Sequence, residues 1–169
     1  MRARAAAVLL PAGLLRACAV PLLVLPSPRD LMWALLKPLV GFDPNQVNLF
    51  AQPRVQQRLH TLLGAHYEDT LQLLRSADPL QQEGPLFFVL SRYTPLAQVS
   101  GRAGLVWNSD SNQLAARVPR GDAAEIFAEL VQRGAGAALV EVPPQWPSSF
   151  TAWLPPAVTS GTALPGTLQ

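Results

Sequence analysis

The sequence predicts an α+β domain, a mostly antiparallel four-stranded sheet with helices packed on one face, preceded by N-terminal helices. Three observations carry that expectation. A long apolar stripe at helical spacing runs through residues 54–76. From Gly84 onward the period shortens to that of strands. The strand-like runs are joined by short turn-forming segments, the connection that antiparallel neighbours use and parallel strands cannot.

Taken in order, Asp30 is a helix N-cap before Leu31, Trp33, Leu35 and Leu36, and Pro38 and Gly41 end that helix. Asp43-Pro44-Asn45-Gln46 supplies an acidic cap, a proline at the first helical position and a glutamine two residues on, which predicts a second helix ending by Ala51. Pro53 opens the longest periodic segment. At about 100° per residue, Val55, Leu59, Leu62, Leu63, His66, Tyr67, Thr70, Leu73 and Leu74 share one arc and Arg54, Arg58, Glu68, Asp69 and Arg75 the other. One core-packing helix from Arg54 to Ser76 is expected, weakened at Gly64.

Leu86 to Arg92 is apolar and aromatic between Pro85 and Pro95, hence a strand. Gly104–Asn108 and Gln113–Val118 flank Ser109-Asp110-Ser111-Asn112, a set of turn formers, so they predict a hairpin. Asp122 to Arg133 reads as an amphipathic helix burying Ala123, Ile126, Phe127, Leu130 and Val131, with Gly134 and Gly136 at its end. In that reading Arg120-Gly121-Asp122, although it spells an adhesion tripeptide, serves as a cap with Glu125. Ala138–Val142 is the last expected strand.

The first 26 residues stand apart. Arg2 and Arg4 precede an uncharged run from Ala5 to Leu15, and small residues follow at Ala17 and Ala19, the three parts of a secretory leader. Leu15-Arg16-Ala17-Cys18 also resembles the lipobox of bacterial lipoproteins, in which the cysteine is acylated and becomes the new N-terminus. Arg16 departs from that pattern, where an uncharged residue stands. The resemblance implies lipidation at Cys18 and a protein that is periplasmic or membrane-anchored facing the periplasm. Two other readings stay open. An uncleaved membrane helix over residues 5–25 would carry Arg16 at a cost of about 2.5–3.5 kcal/mol, and Met32 is an alternative start. The expected organisation is a leader at 1–26, one domain at 30–154 and a flexible tail at 155–169, where Pro, Gly, Thr and Ala dominate without charge.

Composition excludes one class of function. Arg2, Arg4 and Arg16 account for three of the 13 basic residues, which leaves the remainder with ten against 11 acidic residues. A nearly neutral domain without a basic cluster lacks the footprint of a nucleic-acid binder. Cys18 is the one cysteine, so no disulfide closes within the chain.

Catalytic chemistry has little to stand on. There is no G-x-S-x-G elbow, and Gly134-Ala135-Gly136-Ala137 follows an expected helix instead of preceding one, the reverse of a phosphate loop. His66 and Asp69 lie about 60° apart on one helix, a pair able to move a proton or share a metal, and they support an alternative reading as a small periplasmic hydrolase or metal-dependent enzyme. His60 lies about 120° from His66 and cannot complete that site. No metal set, cofactor motif or catalytic residue is assigned. The leading expectation is a non-catalytic domain that binds a protein or envelope component. Trp146, Phe150 and Trp153 are its candidate binding residues, because spacings of four and three align them on one side of a helix starting at Pro147. The same aromatics also suit a segment that closes over the sheet.

Overall fold

The computed structural model describes residues 25–92, 102–121, 123–134, 136 and 138–151. The expected leader up to residue 24, Cys18, Trp153 and the tail from 155 lie outside the described residues.

Helix α1, Pro28–Leu36, starts one turn earlier than Asp30 suggests. Ser27 is the cap: its hydroxyl accepts from the Asp30 amide at 3.1 Å, and the Asp30 carboxylate accepts from the Ser27 amide at 3.2 Å. With Pro28 at the first helical position this closes a reciprocal capping box. The Ser27 hydrogen bonds, side chain first and backbone second, pull the Asp30 carboxyl below its ordinary range.

The helix expected from Asp43 does not form. Asp43 Oδ1 accepts the Asn45 amide at 2.9 Å, and Asn48 adopts a left-handed backbone, φ 51°, which stops helical propagation. Only a 3-10 turn, Leu49–Ala51, remains. Asn45 instead donates to the carbonyls of Leu74 and Arg75 at 3.0 and 3.1 Å, tying this loop to the end of a later helix.

The long stripe is broken in two. Helix α2 spans Pro53–Leu63 and α3 spans Tyr67–Leu74, with a 3-10 turn over Gly64–His66 between them. Gly64 sits at φ +52°, a conformation that side-chain-bearing residues avoid, so the residue that weakens the helix ends it. The buried set still runs through both halves: Val55, Leu59 and Leu63, then Tyr67, Thr70 and Leu74.

The sheet has five strands where four were expected. Strands β1 (Gln81–Glu83), β2 (Leu86–Leu90), β3 (Gly104–Asn108), β4 (Gln113–Arg120) and β5 (Ala123–Ala128) lie in that order, each antiparallel to the next. The helix expected over Asp122–Arg133 is replaced by β5 and by β6 (Val131–Gln132), which pairs with β7 (Leu139–Val140). Arg120 pairs with Ala123 across two residues, the first of which is Gly121 at φ +58°. A tight hairpin with glycine at its first position, backed by the eight-residue β4, outweighs the helical moment of the segment. Asp122 is outside the described residues, and Glu125 pairs with Arg120 at 3.0 Å.

Alternation along the strands divides the core. Phe87, Val89, Leu105, Trp107, Leu114, Ala116 and Val118 face α1–α3 and join Met32, Leu36, Leu59, Leu63 and Leu74 in one cluster. Leu86, Phe88, Leu90, Val106 and Ala115 face the other way and meet Phe150, with Trp146 and Ala128 packed beside them. Every residue of β2 and β3 is therefore buried.

Candidate functional site

Phe150 is 2% exposed and lies edge-on to Phe88, with ring centres 6.0 Å apart. A Cβ at Gly104 would overlap its ring, so the glycine in β3 makes room for it. Trp146, half-buried, stacks on Phe150 at 5.1 Å. The segment carrying both rings is fastened by polar groups. Glu83 in β1 accepts from the Ser148 amide at 3.1 Å and from its hydroxyl at 2.7 Å, at the start of the short α4 (Ser148–Thr151). Asn108 donates to Gln145 at 2.7 Å, and Gln113 donates to the carbonyls of Val142 and Glu129 at 2.7 and 2.9 Å. Of the three aromatics singled out in the sequence, two thus form one stack over the second face of the sheet, with Phe150 in the core. Trp153 lies outside the described residues.

His66 and Asp69 are not brought together. No hydrogen bond joins them. The His66 ring lies against Arg120, whose Nη2 is 2.8 Å from Nε2, and 5.3 Å from the Phe127 ring; Asp69 is exposed. His60 stacks on Tyr67 at 3.5 Å. Among the described residues, no three His, Cys, Asp or Glu side chains gather as a metal site would require.

Sequence reasoning missed an open groove of about 700 Å³ between α2 and the β5–β7 region. Its floor is Arg58. Nε donates to Glu129 Oε1 at 2.9 Å, Nη1 to Asn112 Oδ1 at 3.1 Å and Nη2 to the Asn112 carbonyl at 2.8 Å, while Nη2 also bonds Glu129 Oε2. Glu129 in turn accepts from the Leu114 amide at 2.9 Å, and Asn112 accepts from the Trp107 indole at 3.0 Å. Asn112 presents these groups from a left-handed turn, φ 54°. All three nitrogens of Arg58 are engaged, so the cation is a strut between helix and sheet.

Above that floor Leu62, Leu130 and Leu139 line the groove beside Thr61, Asp110 and Gln132. Leu130 and Leu139 are 52% and 61% exposed, and both line it. Leu139 pairs with Gln132, and Val140, 36% exposed, pairs with Val131, so the small β6–β7 ladder holds this rim in place. No local signal marks the Arg58–Glu129 pair, whose members are 71 residues apart. A polar floor with satisfied hydrogen bonds and an exposed aliphatic rim suits adhesion to another surface. No protein-family model matches the chain, and neither a curated protein nor a solved structure matches it.

Proposed function

We propose that the protein is an exported cell-envelope domain, lipid-anchored where Cys18 is acylated, that works without catalysis by binding a protein or envelope component. The observation that carries this reading is the rim of Leu130, Leu139 and Val140 beside the groove, with Leu139 and Val140 on β7 and Leu130 just before β6, all exposed among the described residues. Exposed apolar groups fixed on regular structure lose little freedom on docking and bury area against a partner. Trp146, half-buried on its Phe150 support, is a second contact, with Trp153 further along the chain.

The test is retention of envelope proteins on the immobilised full chain, with Leu130→Asp and Leu139→Asp combined. Both side chains are exposed, so the variant keeps its fold. Retention of the specific partner falls by about tenfold or more, the equivalent of 1.4 kcal/mol. Equal retention by the wild-type chain and the variant contradicts the assignment.

A further inference from the structure

We infer that the C-terminal end of α1 and the turn after it rest on a bilayer surface, with Trp33 and Phe42 as apolar inserts and Lys37 as the contact to anionic headgroups. This deepens, and rests on, the reading of an exported and anchored chain.

Lys37, the C-cap of α1, follows Trp33 by four residues and lies on the same side of the helix. Trp33 is 40% exposed although its ring meets Phe87 edge-on at 5.1 Å. The Lys37 ammonium stands 5.5 Å from the indole centre and donates to Gln82 Oε1 at 2.6 Å, so the cation is held beside the ring. Phe42 is 56% exposed, yet its backbone is pinned. Its carbonyl accepts from the Leu80 amide at 2.9 Å, and the Gly41 amide donates to the Leu80 carbonyl at 2.7 Å. Leu80 and Gln82 are two residues apart, so Phe42 and the Trp33–Lys37 pair are fixed to the same stretch of chain.

A rigidly held, exposed indole and phenyl beside an ammonium are the side chains that settle at the level of lipid headgroups. At the opposite end of α1, Arg29 stands 3.6 Å from Asp110, and the Asp30 carboxylate accepts from Ser27. At the end that carries the aromatics, Lys37 is the cation held beside the indole, while Asp43 follows Phe42. The chain before α1 favours a bilayer over a soluble partner. Nine chain steps separate Cys18 from Ser27, an extended reach of at most about 32 Å, and α1 is only about 13 Å long. An acyl group on Cys18 keeps this face within reach of the membrane.

The full chain is mixed with vesicles of phosphatidylcholine carrying brominated acyl chains, with and without phosphatidylglycerol, and both flotation and tryptophan quenching are read. Trp33→Phe, which keeps an aromatic against Phe87, removes roughly half or more of the quenching seen in the wild-type chain. Lys37→Gln weakens partition into the anionic vesicles by about fivefold and leaves partition into the neutral ones unchanged. Phe42→Ser, at an exposed position, also lowers quenching. A chain that floats with the vesicles but quenches equally with and without Trp33 overturns this inference and leaves the anchoring standing. A chain that neither floats nor quenches overturns both.

Discussion

The two faces of the sheet are covered in different ways. On one, three helices bury a continuous set of side chains from Met32 to Val118, among them Leu59 and Leu74 with no exposed surface. On the other, a short segment seats Phe150 against Leu86, Phe88, Leu90, Val106 and Ala115 and is fastened by Glu83, Asn108 and Gln113. Burial of apolar area holds the first cover, while the second relies on the Phe150–Trp146 stack and a few hydrogen bonds. Covers of the second kind open at lower free energy than the global fold.

Substitution separates the two. Leu59→Ala, in the helical cover, lowers global stability by about 2–5 kcal/mol in denaturant unfolding. Phe150→Ala gives a smaller loss, and hydrogen exchange locates it in residues 142–151 and the facing side of β2 and β3. Equal global losses from the two variants would show one cooperative core instead of two unequal covers.

Gly104→Ala sharpens the comparison, because the added methyl meets the Phe150 ring first and the Leu90 side chain next. It costs about 1–3 kcal/mol in the wild-type background and little once Phe150 is alanine, a coupling that a double-mutant cycle measures. Additive effects would place the strain elsewhere.

Arg58→Ala tests the strut between the two layers. With the side chains of Arg58 and Glu129 20% and 23% exposed, solvent moderates the loss, and about 1–2 kcal/mol is expected in thermal or chemical unfolding. The Leu114 amide, whose acceptor is Glu129, exchanges faster in the variant.

The smallest effect is at the edge of the helical cover. Because the folded-state pKa of Asp30 lies below the ordinary value of 3.8, its contribution is present above that value and is lost as pH falls through the lower one. The first turn of α1 frays as pH falls through that lower value, visible in the amide signals of Ser27 and Asp30. Asp30→Asn removes that dependence; an unchanged acid profile would assign it to another group.

Which parts were legible follows from how local their causes are. Strand β3 was read to the residue and β4 to within two, because β-branched and apolar runs flank a turn rich in Ser, Asp and Asn. The stripe through α2 and α3 was legible as a face, since 3.6-residue spacing is a property of the chain itself. Its interruption was not, because Gly64 in an otherwise periodic run reads as a weak helical residue until its φ is known. Residues 123–128 fit a helical period and fold as a strand through pairing with β4, a partner the segment does not encode. Gly84-Pro85 and Gly121, each between strand-forming runs, were the available clues to β1 and β5. In the candidate site the aromatic spacing was legible but its use was not, since packing on a sheet and anchoring a partner call for the same residues. The Arg58–Glu129–Asn112 floor joins three elements that only the tertiary fold brings together.

The claim on which the functional account rests is export, and the intact mass of the native chain tests it most directly. The account predicts a chain that begins at Cys18 with an added diacylglycerol-type mass, or shortly after it without one, recovered from the envelope fraction. A full-length chain carrying Met1, recovered with the soluble cytosolic proteins, would contradict it.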